Sequence, residues 1–109
     1  MKHITPDEVK KNKDQYILLD IREEHERAKD GFIPNSESIN GSKLDIYELN
    51  EFFKKHNGKH IVVYCHSGAR SESLVEVVNK NNIYNKDKIS NLKGGFRIWK
   101  ASLYEIEYP

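Results

Sequence analysis

The sequence contains one cysteine, one tryptophan and three prolines among its 109 residues. Because Cys65 has no second cysteine to pair with, a disulfide within the chain is excluded, and a lone thiol is typical of a reducing compartment. We therefore expect a cytoplasmic protein. A chain of this length also forms one domain rather than two, which we place at residues 1–109.

An excess of charge of one sign and a long apolar run are both missing. The chain has 18 basic and 17 acidic side chains, which gives a formal net charge of +1. Proteins that bind duplex nucleic acid usually present a clearly basic face, so we expect no nucleic-acid partner. The longest apolar run, residues 61–65, has five residues, whereas a membrane span requires about 20. Neither a membrane partner nor a signal peptide is therefore expected.

The chain does contain an alternation of apolar strand patterns and amphipathic helix patterns. Residues 61–64 are β-branched or aromatic and apolar on both faces, which is typical of a central parallel strand covered by helices. Weaker strand patterns lie at residues 16–21, 38–40 and 88–92. Helix patterns lie at residues 5–13, 23–29, 46–57, 69–80 and 96–103. This alternation predicts an α/β fold with a mostly parallel sheet flanked by helices on both faces.

One loop carries the residues for chemistry. Cys65 directly follows the central strand, and ligands of parallel sheets bind beyond the carboxyl ends of the strands. The helix that begins after the loop directs its unpaired amides and its positive dipole end towards Cys65, which favours a thiolate, the nucleophilic form. Gly68 allows successive amides to form an anion-binding nest, and Arg70 adds a permanent cation. The hydroxyls of Ser67 and Ser71 add further donors.

The simpler alternative is that Cys65 only fills space in the core, because a free cysteine is among the most buried residue types. A space-filling side chain requires no glycine turn, no arginine five residues later and no helix start directly behind it. Nor does it require a place at an exposed strand end, and the combination of these four features favours a nucleophile.

The segment Cys65-His66-Ser67-Gly68-Ala69-Arg70-Ser71 resembles the active-site loop of the rhodanese sulfurtransferases. Three further segments resemble family motifs in the same order: Leu19-Asp20-Ile21-Arg22-Glu23, Gly31-Phe32-Ile33-Pro34-Asn35, and Asn91-Leu92-Lys93-Gly94-Gly95 with Trp99. The resemblance extends from about residue 4 to residue 103 and implies a single rhodanese domain with the rhodanese-like fold. The chain departs from the family pattern at Phe32 and Asn35, where the family commonly has histidine and glycine.

The resemblance implies a sulfurtransferase in which Cys65 is the catalytic residue. Cys65 would take a sulfane sulfur from a small donor such as thiosulfate, hold it as a persulfide and pass it to cyanide or a thiol. The implied substrate-binding residues, whose amides would surround the persulfide, are His66, Ser67, Gly68, Ala69 and Arg70. A thioredoxin-like or other sulfur-acceptor protein is a further candidate partner, and neither a cofactor nor a metal is expected.

Two alternatives stay open at this point. In the first, the persulfide serves one specific protein partner, so that the domain acts as a carrier or interaction module. In the second, the loop binds a phosphoryl or arsenate group, as in the cysteine phosphatases and arsenate reductases. Their loops hold five residues between cysteine and arginine, whereas this loop holds four, residues 66–69, and forms a smaller cradle.

Residues outside the loop receive structural interpretations. Asp20 and Arg22 lie at the end of a predicted strand, where we expect an ion pair that supports the site, and Ser71 is a third supporting residue. The charge-rich segment 23–27 is typical of a solvent-exposed helix face. The aromatic residues that we expect in the core are Phe52, Phe96 and Trp99.

Overall fold

Five strands form one sheet in the computed structural model, which describes residues 2–109. The strands are β1 (His3–Ile4), β2 (Tyr16–Asp20), β3 (Glu37–Ser38), β4 (His60–Tyr64) and β5 (Ile89–Leu92). Across the sheet their order is β1-β5-β4-β2-β3, and every neighbouring pair is parallel. The predicted central strand is therefore the middle strand of the sheet.

Five α-helices connect and follow these strands. They are α1 (Pro6–Lys11), α2 (Glu24–Asp30), α3 (Ile46–Lys55), α4 (Ala69–Lys80) and α5 (Gly95–Ala101), with short 3-10 helices at Lys13–Gln15, Gly41–Lys43 and Lys86–Lys88. α4 has the predicted bounds. α1 ends two residues earlier than predicted, because Asn12 leaves the helical conformation with a φ of −120° and a ψ of 39°. No helix among residues 2–109 is both long and apolar enough to cross a membrane.

The two edge strands show where the sequence pattern was too short to interpret. β1 is absent from the predicted strands, because two residues cannot display a periodic pattern. Its buried residue, Ile4, pairs in register with Leu92, and His3 pairs with Asn91. β3 begins one residue before the predicted segment and also has only two residues.

Separate cores cover the two faces of the sheet. Residues of β4 alternate between them: Ile61, Val63 and Cys65 join the cluster under α3 and α4, whereas Val62 and Tyr64 join the cluster under α1 and α5. The predicted core aromatic residues are all buried, namely Phe52, Phe96 and Trp99. The prediction of a parallel sheet with helices on both faces is confirmed.

Candidate active site

Cys65 lies at the carboxyl edge of the sheet, directly after β4. Because β2 and β5 pair with β4 on either side, this position is at the middle of that edge. The cysteine is fully buried and packs within the cluster under α3 and α4. The central strand therefore places the thiol beneath the loop that leads into α4.

Three donors surround the Cys65 sulfur. The backbone N–H of Gly68 lies 3.2 Å from Sγ, and both the backbone N–H and the hydroxyl of Ser71 lie 3.4 Å from it. Gly68 is the N-cap of α4 and has a φ of 98°, in the left-handed region that favours glycine. This turn brings the first amides of α4 to the sulfur.

These donors change the acidity of the thiol. Burial by itself raises the pKa of Cys65, because a thiolate is poorly solvated in the interior. Hydrogen bonds from the Ser71 hydroxyl and from the amides of Ser71, Gly68 and Arg70 oppose this effect, and the pKa is lowered overall. A lowered pKa increases the fraction of nucleophilic thiolate at neutral pH.

Ser71 connects the sulfur to Asn91 and, through Asn91, to His3, neither of which the sequence pattern placed at the site. Its hydroxyl also lies within hydrogen-bond distance of the Gly68 carbonyl oxygen and of Oδ1 of Asn91 on β5. Asn91 is buried, and its Nδ2 lies 3.3 Å from Nδ1 of His3 on β1. The sequence signal for Asn91 is its place in the predicted strand 88–92 and in the motif that ends at Gly95, whereas no sequence signal marks His3.

The first turn of α5 supports the loop from the other side. The backbone N–H of Phe96 donates to the Cys65 carbonyl oxygen at 2.8 Å, and that of Arg97 donates to the His66 carbonyl oxygen at 2.9 Å. Gly95 has a φ of 64°, and a Cβ atom there would lie 2.6 Å from both of these oxygens. Only glycine allows α5 to approach the loop this closely.

Asp20 and Arg22 form the expected ion pair, and both side chains are fully buried. Arg22 donates to the Asp20 carboxylate through Nε at 3.0 Å and Nη2 at 2.8 Å, and Nη2 also donates to the Gly31 carbonyl oxygen at 2.7 Å. Arg27 donates to the same carboxylate at 2.7 Å. The Arg22 guanidinium lies 4.2 Å from the centroid of the Phe96 ring. The pair therefore ties the β2–α2 connection to α5 from below the site.

Arg70 lies at the rim of the site and is paired with a carboxylate. Its guanidinium makes two hydrogen bonds of 3.0 Å to Glu26 of α2. These bonds lower the pKa of Glu26 to about 2. The expected solvent-exposed face at residues 23–27 is therefore wrong for Glu26 and Arg27, whose side chains are 20% and 13% exposed and paired with charges.

The other loop residues singled out in the sequence lie at the surface. The exposed ones are His66, Ser67 and Ala69. They form the outer wall of the loop, while the nearest donors to Sγ come from Gly68 and Ser71. Among residues 2–109, no three histidine, cysteine, aspartate or glutamate side chains converge to hold a metal ion.

The two departures from the family pattern have local explanations. Asn35 has a φ of 66°, and asparagine is among the few residues other than glycine that adopt this conformation. Phe32 lies under the Arg27 guanidinium, with 4.0 Å between the guanidinium carbon and the ring centroid. Phe32 also exchanges backbone hydrogen bonds with Glu107. Both residues therefore fit the structure beside the site.

Comparisons with known proteins agree with this architecture. The family model of the rhodanese-like domain matches residues 5–102. A search of curated proteins finds no match. Among solved structures, a rhodanese-related protein from Thermoplasma volcanium is 29% identical, with a TM-score of 0.76 over 97% of each chain.

Two further solved structures have the same fold, and at their low sequence identity they are evidence for the fold alone. A thiosulfate sulfurtransferase from Pseudomonas aeruginosa is 20% identical, with a TM-score of 0.78 over 98% of this chain and 19% of that chain. An As-Sb reductase from Leishmania major is 19% identical, with a TM-score of 0.77 over 94% of this chain and 79% of that chain.

Proposed function

The chain belongs to the rhodanese-like domain family, and we propose that it is a sulfurtransferase in which Cys65 carries the transferred sulfur as a persulfide. The observation that supports this most is the convergence of the Gly68 amide and the Ser71 amide and hydroxyl on Sγ. Such donors stabilise a thiolate, which is a strong nucleophile towards sulfane sulfur.

In the first half-reaction, the Cys65 thiolate attacks the outer sulfur of a donor such as thiosulfate. A bond forms between Sγ and that sulfur while the sulfur–sulfur bond of thiosulfate breaks. Sulfite leaves with the electron pair of the broken bond, and the negative charge passes to the outer sulfur of the new persulfide. The step requires no proton, oxidant or metal ion, so the residues present are sufficient for it.

In the second half-reaction, a nucleophilic acceptor attacks the outer sulfur. Cyanide gives thiocyanate, and a thiolate gives a new persulfide, while the Cys65 thiolate leaves with its electron pair. The same step serves a cysteine of a thioredoxin-like or other acceptor protein. Because the chain has only one cysteine, no internal disulfide competes with this transfer.

Burial of the thiol favours transfer of a single sulfur atom. Cys65 is fully buried, so a donor has to present a narrow end to Sγ. A phosphoryl group carries three oxygens and would need a wider ring of amides than a loop of four residues, 66–69, supplies. Loop size therefore disfavours phosphatase or arsenate reductase activity.

Intact-mass measurement tests the proposal directly. After incubation of the purified protein with thiosulfate, we expect a gain of the mass of one sulfur atom, which a reducing thiol reverses. Cys65→Ser should gain nothing. Addition of cyanide to the loaded protein should release thiocyanate and return the original mass.

The outcomes separate the alternatives. A protein that takes up sulfur but passes it neither to cyanide nor to small thiols would be a carrier for a specific protein partner. If no donor adds sulfur to Cys65 and the protein instead hydrolyses a phosphate ester or reduces arsenate, the proposal is wrong.

A further inference from the structure

Glu26 is paired with Arg70, the one arginine of the Cys65 loop. Both Nη atoms of Arg70 donate to the Glu26 carboxylate, each at 3.0 Å, in the bidentate geometry that arginine forms with carboxylates. The same guanidinium is close enough to Cys65 that the thiolate charge contributes to raising the pKa of Arg70, after the larger effect of Glu26. The guanidinium that an anionic sulfur donor would use for binding is therefore already paired with the Glu26 carboxylate.

The position of Glu26 does not depend on Arg70 alone. Its Oε1 also accepts the backbone N–H of Glu23 at 3.1 Å, and the Glu23 side chain accepts the backbone N–H of Glu26 in return. This reciprocal pair is the capping box that begins α2. The start of α2 thus holds the Glu26 carboxylate at the rim of the site. Because the Glu26 side chain is only 20% exposed, salt in the solvent screens its charge less than that of a fully exposed carboxylate.

The other two arginines on the α2 side of the site cannot bind an anionic donor in place of Arg70. Arg22 is fully buried, Arg27 is 13% exposed, and both donate to the carboxylate of Asp20. A donor that approaches along α2 consequently meets three arginines that are already paired with two carboxylates. The pKa of Glu26 of about 2 keeps its charge in place throughout the pH range in which the thiol reacts.

We propose that Glu26 is a specificity-determining residue that selects against doubly charged sulfur donors and favours donors with one negative charge or none. This inference rests on the sulfurtransferase function proposed above. A thiosulfate dianion must displace the Glu26 carboxylate from Arg70 or bind beside it, and repulsion grows with the charge of the donor. Persulfides and thiosulfonates carry less negative charge at the reacting group, so the Glu26 carboxylate repels them less.

The test compares two donors that share one chemistry. Thiosulfate and methanethiosulfonate both present a sulfane sulfur on a sulfonyl group, and they differ by one negative charge. With Glu26→Gln, we expect kcat/KM for thiosulfate to rise about tenfold and kcat/KM for methanethiosulfonate only about threefold, because the electrostatic free energy scales with donor charge. The change should lie in KM, since Arg70 acts on binding.

Glu24→Gln is the matched control. Glu24 is exposed in the first turn of the same helix, so this variant removes the same charge without freeing Arg70. Glutamine at position 26 retains an oxygen for the Glu23 amide, which preserves the capping box. An equal response of the two variants, or an unchanged preference between the donors, overturns the inference.

Salt dependence provides a second test of the Glu26→Gln variant. Because added salt screens the Glu26 carboxylate, the gain in kcat/KM for thiosulfate in Glu26→Gln should shrink as the salt concentration rises, and the gain for methanethiosulfonate should shrink less. A gain that does not change with salt would contradict the electrostatic role of Glu26. Failure of both donors to load Cys65, in the unaltered protein and in every variant, would instead refute the sulfurtransferase function itself.

Discussion

The helices α4 and α5 begin in the same way. Each follows a strand of the sheet, and each has a glycine N-cap in the left-handed conformation: Gly68, with a φ of 98° and a ψ of −10°, and Gly94, with a φ of 77° and a ψ of −7°. No side chain caps either helix. Both helices therefore direct the amides of their first turn to partners elsewhere.

The partners of these amides differ, and so do the roles of the two helices. In α4, the amides around the N-cap face the sulfur of Cys65, which can become an anion. In α5, the amides of Phe96 and Arg97 donate to the carbonyl oxygens of Cys65 and His66. The start of α4 thus forms a site for negative charge. The amides at the start of α5 instead bind the backbone of the Cys65 loop and fix its position.

The largest effect should come from crowding the α5 junction with Gly95→Ala. The new Cβ would lie 2.6 Å from two backbone oxygens and 2.8 Å from the backbone nitrogen of Gly68. Left-handed strain and overpacking against backbone together should cost about 3 to 5 kcal/mol of the free energy of unfolding. Urea denaturation measures this loss, and alkylation of Cys65 in the folded protein should become slower in parallel.

Gly58→Ala provides the reference for that experiment. Gly58 also has a positive φ, of 83°, but no atom lies within 4 Å of its Cβ position. Only the left-handed strain should appear there, about 1 to 2 kcal/mol. If Gly95→Ala were no more destabilising than Gly58→Ala, α5 would not be packed tightly against the loop.

A smaller effect on stability but a clear effect on chemistry is expected for Gly68→Ala. The nearest atoms to its Cβ position are 3.5 Å away, so the substitution meets strain but no clash. Its stability should fall by about 1 to 2 kcal/mol, as for Gly58→Ala. The strain turns the amide away from Sγ, and we expect alkylation of Cys65 by iodoacetamide at neutral pH to slow by about tenfold to a hundredfold.

Comparison with Gly58→Ala isolates the chemical part of this result. The two variants should have similar urea midpoints, but only Gly68→Ala should shift the pH dependence of alkylation towards higher pH. Equal alkylation rates in the two variants would show that the Gly68 amide contributes nothing to the thiolate.

The sequence pattern predicted the α4 junction better than the α5 junction. At α4, the apolar strand 61–64, the glycine and the following periodic helix are contiguous, so local rules were sufficient to place Cys65 at the helix start. At α5, the only local signals were a helix pattern at residues 96–103 and a family motif that ends in Gly94-Gly95. They did not reveal that its amides bind the Cys65 loop, because that contact joins segments about 30 residues apart.

Charged residues of α2 show the same limit. Segment 23–27 looks like a solvent-exposed face because its charges give no apolar period. Glu26 pairs with Arg70, 44 residues away, and Arg27 pairs with Asp20. Asn91 belongs to one of the motifs that resemble the family, but its link to Ser71 depends on β5 lying beside β4. Such pairings follow from the order of strands, which no local pattern contains.

The smallest effect is expected for Ser71→Ala, which measures how much the Ser71 hydroxyl contributes to the environment of the Cys65 sulfur. The variant removes one donor to Sγ and keeps the Ser71 amide, and the single hydroxyl proton is shared with Gly68 and Asn91. We expect the pKa of Cys65 to rise and alkylation at neutral pH to slow by less than about tenfold. The rate plateau should therefore be reached at a higher pH than in the unaltered protein.

The same pKa shift predicts the sign of a stability difference. A thiol whose pKa is lowered by folding adds stability above its unfolded pKa, and this increment is lost as the pH falls through the folded pKa. Ser71→Ala should therefore lose more stability, relative to the unaltered protein, at alkaline pH than at a pH low enough to protonate the folded thiol in both proteins. A loss that is the same at both pH values would assign Ser71 to packing and to Asn91 alone, and the α4 junction would then act on the sulfur only through its backbone.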